Sequence, residues 1–471
     1  MVFPIKTALY TDQYELTMAQ GYFYHGQKNV SANFDYFFRK KPFNGGFVVF
    51  AGLSDLILAI ENFRFDDDDL TFLQEIGFKR EFLEYLKDFK FSGSIFSMQE
   101  GEIVFPNQPI LRIESSIIEA QVLETLVLNI LNFESLIATK AARIKNIAGD
   151  RTVIDFGLRR AQGLAGLHAS KAAIIGGAQS TSNLYSAKQF GLQAAGTMAH
   201  SWVQSFSSEY EAFSKFAETF PDHCILLVDT YHTLNSGIPN AIKVAKEMEN
   251  RDQKLFGVRL DSGDLSYLSK QARKMLDEAG LNYVKIAASN QLDEYVIESL
   301  LNEGAPLDAF GVGTKLVTGG EDPALDGVYK LTLSNEKPRM KFSENIEKVI
   351  LPHRKKTIRF SDENGYFRAD GILLDKEQYT NMIFHPHQPD KSTEVTSYQT
   401  ECLLKQVMEA GQALEIERNV QSISSYVSSR LSQLPSEHKR LKNPHEYKVG
   451  ISKDLMDLRD QLKNELKEKF N

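Results

Sequence analysis

Between residues 150 and 315 the chain repeats one pattern, a short apolar run that ends in polar or glycine residues and precedes a helical stretch. The runs are TVIDFG, LQAAGTMAH, CILLVDTYHT, LFGVRLDSGD, YVKIAASN and AFGVGTK. Thr197, Asp229 and Asp261 follow one another at intervals of 32 residues, and Asn290 comes 29 residues after Asp261. This is the length of a strand plus a helix, so the sequence predicts successive βα units in a parallel sheet, open or closed into a barrel.

The stretches between these runs are typical of amphipathic helices. They include NAIKVAKEMENR, LSYLSKQARKMLDEAG and LDEYVIESLLNEG, of which the last two end on glycine. Polar residues and a glycine mark the predicted strand ends: Asp155, Thr197, Asp229, Arg259, Asp261, Ser289 and Gly313. In parallel α/β folds the carboxyl ends of the strands carry the ligand site, so we expect the active site there.

The segments on either side of the repeats differ in composition. Helices are predicted for residues 11–25 and 120–149. Strands are predicted for SANFDYFFRK and GGFVVFAG, and two strands joined by a turn for GEIVFPNQPILRIES. Beyond about residue 335 the sequence becomes basic and strand-like, then turn-rich, and ends in a charged helix. We therefore predict an N-terminal α/β domain at 1–119, a βα barrel at 120–335 and an appended C-terminal domain at 336–471.

Composition excludes several classes of protein. A formal net charge of −8 with both signs interspersed disfavours a general nucleic-acid binder. Two cysteines, Cys224 and Cys402, exclude a disulfide framework, and the ten histidines show no zinc-binding spacing, so no metal ligands are predicted. Neither a secretory signal pattern nor an apolar run of about 20 residues is found, which predicts a cytoplasmic protein that does not enter membranes.

Two motifs place cations at predicted strand ends. In DFGLRRAQG, Arg159 and Arg160 are suited to clamp a phosphate or carboxylate, although pairing with a surface acid is the alternative. In GVRLDSGDL, Arg259 and Asp261 alternate along a strand, so both side chains lie on one face. Such a pair suits a substrate with phosphate and hydroxyl groups, but a structural ion pair has the same signature.

Two further motifs are less specific. FGVGTKLVTGG puts Gly311 and Gly313 ahead of Thr314, which favours a backbone approach to phosphate, but its spacing fits neither a Walker A loop nor a dinucleotide fingerprint. GTMAHSW puts His200 two residues before Trp202, the only tryptophan. From the residues alone His200 is equally a packed histidine, a metal ligand, a proton shuttle or a nucleophile.

Taken together, these stretches resemble the nicotinate phosphoribosyltransferase family over nearly the whole chain. TDQYELTMAQGYF is similar to the family's opening signature, and DFGLRRAQG, GTMAHSW, LLVDTY, GVRLDSGDL and FGVGTKLVT follow in the family's order. We do not assign LLVDTY to the phosphoribosyl pyrophosphate loop of the commoner phosphoribosyltransferases, because Asp229 lacks a second acid beside it. The resemblance implies an α/β fold, an irregular βα barrel with an N-terminal α/β domain and an appended C-terminal domain.

The resemblance also implies a homodimer with shared active sites. Asp12 and Tyr14 of one subunit are then expected to complete the pocket of the other, and Tyr14 and Phe156 to sandwich the pyridine ring. Thr197 and Arg259 are expected to contact the ring or its carboxylate.

The choice of pyridine is read from GGAQSTSNLYSAKQFG. We expect Ala178 to occupy the position at which nicotinamide-using relatives carry an aspartate that accepts from the amide. Without that carboxylate, the amide of nicotinamide has no hydrogen-bond acceptor, and the carboxylate of nicotinate is not repelled. The absence of the aspartate therefore favours nicotinate.

The implied reaction joins nicotinate to phosphoribosyl pyrophosphate and yields nicotinate mononucleotide and pyrophosphate, a salvage step of NAD biosynthesis. Arg159, Arg259 and Mg²⁺ are expected to neutralise the leaving pyrophosphate, and Asp261 to hold ribose hydroxyls. The residues expected to bind the 5′-phosphate are Ser289, Gly311, Gly313 and Thr314.

For His200 the resemblance implies phosphorylation by ATP, with hydrolysis of the phosphohistidine coupled to nucleotide formation. A neutral imidazole is nucleophilic near pH 7, so the chemistry is reasonable. Lys341, Lys348 and Lys355 are further candidates for ATP contacts.

Three alternatives stay open at this point. The first is a nicotinamide phosphoribosyltransferase. The second is a barrel aldolase or isomerase acting on sugar phosphates, for which Lys285 in YVKIAASN is the candidate amine. The third is a non-catalytic dimeric scaffold, which has no need of Arg159, Arg259 and Asp261 on one face.

Overall fold

The computed structural model describes residues 8–341 and 350–470. The helices are α1 (Gln13–Tyr24), α2 (Leu53–Glu61), α3 (Asp67–Glu75), α4 (Arg80–Lys87), α5 (Ile117–Gln121), α6 (Glu124–Ala148), α7 (Ala165–Ile175), α8 (Leu184–Phe190), α9 (His200–Gln204), α10 (Glu209–Thr219), α11 (Ile238–Glu249), α12 (Leu265–Glu278), α13 (Glu294–Asn302), α14 (Thr314–Val317), α15 (Val420–Gln433) and α16 (Lys453–Phe470).

The strands of the first two thirds of the chain are β1 (Ser31–Phe38), β2 (Val48–Val49), β3 (Ser94–Ser97), β4 (Ile103–Val104), β5 (Leu111–Ser116), β6 (Thr152–Asp155), β7 (Ser180–Thr181), β8 (Ile225–Leu227), β9 (Gly257–Leu260), β10 (Lys285–Ser289) and β11 (Ala309–Val312). The later strands are β12 (Gly327–Ser334), β13 (Lys337–Pro338), β14 (Lys355–Ser361), β15 (Phe367–Leu374), β16 (Met382–His385), β17 (Gln388–Glu394), β18 (Gln399–Cys402), β19 (Lys405–Glu409), β20 (Gln412–Ala413) and β21 (Val449–Ile451).

The chain divides into two compact units. Residues 140–323 form one, the parallel-sheet unit, and residues 1–139 and 324–471 together form the other, the flanking unit. These boundaries differ from the predicted division at 119 and 335, because strands distant in sequence share one sheet. β12 pairs with β1, and β19 pairs with β3.

The parallel-sheet unit contains six parallel strands in the order β7-β6-β11-β10-β9-β8. Val153, Val258, Ile286 and Phe310 are fully buried on these strands. The amphipathic α11, α12 and α13 follow β8, β9 and β10 as the pattern predicts. The βα prediction is therefore confirmed for the five runs that contain these strands and β6 and β11.

The strand predicted for LQAAGTMAH is wrong. Only Ala194 forms an isolated parallel bridge, to Thr181, and residues 195–199 have no regular structure. Alanine and glycine give such a strand little side-chain surface to pack, so the segment crosses the sheet edge as a loop.

The flanking unit is built mainly from antiparallel strands. A seven-stranded sheet has the order β13-β12-β1-β5-β3-β19-β20, and a six-stranded sheet has the order β17-β16-β21-β15-β14-β18. Seven of the eight residues of β1 are buried. The large core of this unit is rich in phenylalanine, including Phe50, Phe63 and Phe82.

The helical stretch 117–148, predicted as a helix at 120–149, is long and apolar enough to cross a membrane by length and composition. However, 67% of its most apolar window is buried inside the structure. Leu123, Leu126 and Leu131 belong to the core of the flanking unit, so the helix has the burial of a core helix.

Candidate active site

The residues predicted at strand ends meet at the carboxyl edge of the parallel sheet. Asp155 and Ser289 end β6 and β10, Asp261 and Gly313 directly follow β9 and β11, and Asp229 lies two residues after β8. Because these strands are parallel and adjacent, their carboxyl ends share one edge. The residues predicted at the strand ends therefore lie close together at the carboxyl edge of the sheet, where the sequence predicts the active site.

Arg259 ties the GTMAH loop to this edge. Its Nη1 donates to Thr197 Oγ1 at 2.6 Å and its Nη2 to the carbonyl of Met198 at 3.1 Å. The buried Nε has no hydrogen-bond partner among the described residues. Burial lowers the pKa of Arg259, and the charge of Arg159 acts in the same direction, whereas Asp261 and Asp229 oppose it. Arg259 is therefore a half-buried cation that uses two of its five N–H donors within the unit and keeps three without a partner among the described residues.

His200 is not a packed core residue. It begins α9, and 41% of its side chain is exposed. Its Nδ1 lies 3.1 Å from Thr230 Oγ1, and its Nε2 lies 3.9 Å from Asp261 Oδ2. One ring nitrogen is thus positioned by a hydroxyl, while the other faces a carboxylate.

Asp261 is held from two sides. Ser289 Oγ donates to its Oδ1 at 2.5 Å, and its backbone N–H donates to Asp229 Oδ2 at 2.9 Å. The Ser289 hydroxyl, expected to bind phosphate, is therefore engaged with Asp261 instead. Asp229 also accepts from Ser262 Oγ at 2.6 Å, and its Oδ1 is buried without a hydrogen bond among the described residues. The sequence places Asp229 at a strand end, but assigns it no role in positioning Asp261.

Asp155 fixes the loop that carries Phe156 and Arg159. The fully buried carboxylate accepts from the Gly157 N–H at 2.8 Å and from the hydroxyls of Ser170 and Thr181, each at 2.7 Å. The sequence placed Asp155 at a strand end, but no local signal revealed partners that lie 15 and 26 residues further along the chain.

Phe156 lies against the glycines of β11. A Cβ atom at Gly311 would lie 2.4 Å from the Phe156 ring, and one at Gly313 would lie 3.3 Å from the Phe156 carbonyl oxygen. The ring centroid lies 5.9 Å from the guanidinium carbon of Arg259. Glycine at 311 thus makes room for an aromatic surface beside a cation. Thr314 directly follows Gly313 and begins α14.

Three predicted residues make no described contact with this cluster in the parallel-sheet unit, although the charge of Arg159 acts on Arg259. Arg159 is exposed in a 3₁₀ turn, Leu158–Arg160. Asp12 and Tyr14 belong to the flanking unit, where Thr125 Oγ1 donates to Asp12 Oδ2 at 2.6 Å and 47% of Tyr14 is exposed. Partial burial and the charge of nearby Glu124 raise the pKa of Tyr14. The structure therefore brings nine predicted residues together at one edge of one unit: Phe156, Thr197, His200, Arg259, Asp261, Ser289, Gly311, Gly313 and Thr314.

Two sequence interpretations are wrong. Ala178 is 3% exposed and lies before β7, at the amino edge of the sheet, whereas Ser182 follows the carboxyl end of that strand. Residues 179–191 contain no acid, so the absence of a carboxylate holds for the whole segment. Lys285, the candidate aldolase amine, begins β10 at the amino edge and pairs with Asp308 at 3.0 Å.

Of the three lysines expected to contact ATP, only Lys355 disagrees with the expectation. Lys341 is exposed, and Lys348 lies outside the described residues. Lys355 is 2% exposed and pairs with Asp35 at 2.8 Å.

The comparisons with known proteins agree with this geometry. Models of the nicotinate phosphoribosyltransferase N-terminal domain, family and C-terminal domain match residues 9–132, 152–358 and 354–459. A nicotinate phosphoribosyltransferase of Bacillus subtilis is 46% identical over 474 residues, covering 98% of this chain and 96% of that protein. The chain belongs to the nicotinate phosphoribosyltransferase family.

The fold of the family is confirmed by solved structures. The crystal structure of human nicotinic acid phosphoribosyltransferase is 30% identical, with a TM-score of 0.86, and the match covers 96% of this chain and 99% of that one. A nicotinate-nucleotide pyrophosphorylase from Pyrococcus furiosus, 24% identical with a TM-score of 0.72, shares the fold over 91% of this chain and 96% of its own. The irregular βα barrel with added N- and C-terminal domains is therefore the architecture of this nicotinate phosphoribosyltransferase family member.

Proposed function

We propose that the carboxyl edge of the parallel sheet transfers a phosphoribosyl group from phosphoribosyl pyrophosphate to nicotinate, forming nicotinate mononucleotide and pyrophosphate for NAD salvage. The observation that carries this proposal is the convergence of three groups at one edge. They are the Phe156 ring, the Arg259 guanidinium and the Asp261 carboxylate. An anionic aromatic acid and a sugar phosphate need these three kinds of contact.

Nicotinate would lie with its ring on Phe156 and its carboxylate toward Arg259 and Thr197. Offset stacking supplies the ring contact, and a guanidinium binds a carboxylate strongly. The acid-free segment 179–191 offers no carboxylate to repel that anion or to accept from an amide. Because the pyridine nitrogen is itself the nucleophile, no residue has to remove a proton.

The second substrate would lie along the ends of β9, β10 and β11. Asp261, positioned by Ser289 and Asp229, would accept from the ribose hydroxyls. Gly311, Gly313 and Thr314 would approach the 5′-phosphate through their backbone. Arg159, exposed at the end of the Asp155-anchored loop, is free to turn toward the leaving pyrophosphate.

Magnesium fits the acidic residues of this edge. Asp229 retains a carboxylate oxygen without a hydrogen bond among the described residues, Asp261 is 34% exposed, and carboxylate oxygens are the ligands that Mg²⁺ prefers. When bound, the ion would neutralise negative charge on the departing pyrophosphate. Asp229 and Asp261 are the residues that would hold it.

His200 would accept the γ-phosphoryl group of ATP. A bond forms between a ring nitrogen and the γ-phosphorus while the bond to the bridging oxygen breaks and ADP leaves. The exposed ring beside Thr230 and Asp261 supports this role, because its orientation is fixed and its edge is accessible. Hydrolysis of the phosphohistidine would then be coupled to nucleotide formation.

We also propose a cytoplasmic homodimer with shared sites that binds neither nucleic acid nor membranes. Tyr10, Tyr14 and Met18 are 41%, 47% and 37% exposed at the start of the chain, and such clustered apolar exposure is common where a partner docks. Asp12 and Tyr14 would then complete the site of the second subunit.

The test is an assay with phosphoribosyl pyrophosphate and nicotinate, nicotinamide or quinolinate, each with and without ATP. His200→Ala should abolish ATP hydrolysis and acid-labile phosphoenzyme, while slow ATP-independent transfer to nicotinate persists. His223→Ala is the matched control, because exposed His223 precedes β8 at the opposite edge of the same sheet. Product from nicotinamide but not from nicotinate would overturn the substrate assignment, and phosphoenzyme in His200→Ala would overturn the role of His200.

A further inference from the structure

A second cavity lies wholly within the flanking unit. It has a volume of about 430 Å³ and is lined by α16, the strand β1 and residues that include Asn107, Ile350, Leu351 and Pro386. This volume falls within the range of about 300–1,000 Å³ that small-molecule sites occupy. The proposed reaction uses none of its residues, so the cavity needs a separate explanation.

One wall of the cavity is a basic stripe. Arg459, Lys463 and Lys467 follow one another at intervals of four residues along α16, so all three side chains lie on the same face of the helix. The stripe is long enough to contact several oxygens of an extended anion.

The charges in the cavity do not cancel. Lys355 pairs with Asp35 at 2.8 Å and also donates to the carbonyls of Pro352 and His353, so its three donors are used within the protein. Arg459 pairs with Asp460 at 2.8 Å. Among the described residues, neither Lys463 nor Lys467 has a carboxylate within 4 Å. Two ammonium groups thus remain to attract an anion.

Another part of the lining is apolar and meets the stripe where Arg459 donates to the Pro386 carbonyl. Phe37 and Ile350 are 9% and 4% exposed, and Pro109, Leu351 and Pro386 complete this wall. Side-chain amides of Asn107 and Asn464 also line the cavity and can donate to or accept from a heterocycle. A ligand that fits both walls has a flat, hydrogen-bonding ring at one end and negative charge at the other.

The anionic end has room to extend. The cavity shares Asn107, Pro386 and His387 with a neighbouring hollow of about 650 Å³ in the same unit. That hollow is lined by three lysines, Lys41, Lys391 and Lys448, and by two acids, Asp390 and Glu446. Because the lysines outnumber the acids and continue the basic stripe, a chain of phosphates suits this surface better than a single carboxylate.

We propose that this cavity binds a phosphorylated heterocyclic compound of the nucleotide class, with the phosphates on Lys463 and Lys467 and the ring against Phe37 and Ile350. The site is separate from the sheet edge and does not rest on the function proposed above. Lys355 takes no part in phosphate binding here, because its ammonium group is already saturated.

The experiment is calorimetric titration of the full chain with β,γ-imido-ATP, inorganic triphosphate and adenosine. The test variant is Lys463→Glu/Lys467→Glu. The control is Lys270→Glu/Lys274→Glu, which makes the same change of net charge at the same spacing on exposed positions of α12. Lys463→Gln/Lys467→Gln serves if the charge reversal fails to fold, and thermal unfolding of each variant is measured alongside.

The isotherms of wild type and control should contain one imido-ATP binding component that belongs to this cavity. In the test variant this component should be absent, or its Kd should be about 10- to 100-fold higher, because two charge-assisted contacts are lost. Triphosphate and adenosine should each bind that component more weakly than the nucleotide. Identical isotherms for test variant and control would overturn the site, and triphosphate as tight as the nucleotide would overturn the role of the apolar wall. Phosphoenzyme formation at His200 should be unchanged in the test variant, so the two proposals fail independently.

Discussion

At the carboxyl edge of the parallel sheet, His200 and Asp261 are partly exposed and loosely paired, whereas the charged side chains between β14 and β15 of the flanking unit are buried and tightly paired. His200 and Asp261 are 41% and 34% exposed and 3.9 Å apart. Arg359 and Asp370 are both fully buried, and their atoms lie 2.8 Å apart. The first arrangement leaves polar atoms available to a substrate, and the second leaves none.

The buried cluster extends beyond this pair. Arg359 also pairs with Glu102 at 2.5 Å and donates to the carbonyl of Ile103, and Arg430 pairs with Glu102 at 2.9 Å. Burial raises the pKa of Glu102, but the charges of Arg359 and Arg430 outweigh burial and hold this pKa below its usual value. These charges join segments distant in sequence, so their role is structural, although their residue types equal those of a catalytic site.

The largest expected effect comes from breaking the buried cluster. Arg359→Ala leaves the Asp370 carboxylate buried without its cation, and loss of one partner of a buried pair costs about 3–5 kcal/mol of unfolding free energy. Denaturant unfolding measures this loss. Arg368→Ala is the control, because its side chain is 45% exposed in its pair with Asp362 and such pairs contribute at most about 1 kcal/mol. Equal losses in the two variants would contradict the structural role of the buried cluster.

The next effect should separate activity from stability at the sheet edge. Asp261→Ala removes a partly exposed carboxylate, so we expect kcat/KM to fall by about 100-fold with an unfolding free energy within about 1 kcal/mol of wild type. Asp264→Ala, three residues on, should do the reverse. Asp264 caps α12 by accepting from the Tyr267 N–H, and its loss should cost about 1 kcal/mol with little change in activity. If Asp261→Ala has a lower free energy of unfolding than Asp264→Ala, the contrast between an active sheet edge and a structural buried cluster is contradicted.

The sequence predicts the edge of the parallel sheet better than it predicts the buried polar contacts of either unit. Spacings of 32 residues identify Asp229 and Asp261 as neighbours, because each βα unit returns the chain to the same edge. Asp155 and Arg359 act through partners far along the chain, and no local pattern encodes such contacts. The strand prediction for the GTMAH segment is wrong, although the segment ends in polar residues like the five runs that do form strands. Hydrogen bonds from Arg259 to Thr197 and Met198 position this segment, and strand pairing does not. Ala178 was misplaced because a strand of two residues leaves little periodicity to set its register.

The smallest expected effect on catalysis comes from an uncharged contact at the same edge. In Gly311→Ala the new methyl group would lie 2.4 Å from the Phe156 ring, so the ring must move, and overpacking of this kind costs about 1–3 kcal/mol. If nicotinate stacks on Phe156, KM for nicotinate should rise more than KM for phosphoribosyl pyrophosphate, because nicotinate is the one of the two substrates proposed to contact this ring. Steady-state kinetics with each substrate varied in turn measures this ratio. Gly21→Ala is the control, since a Cβ atom there meets no heavy atom within 4 Å and alanine in a helix is favourable by about 0.5–1 kcal/mol. Equal rises in both KM values would mean that the Phe156 ring holds the whole sheet edge in place and does not act on the pyridine alone. The charged and aromatic residues of the site would then depend on one another for their positions.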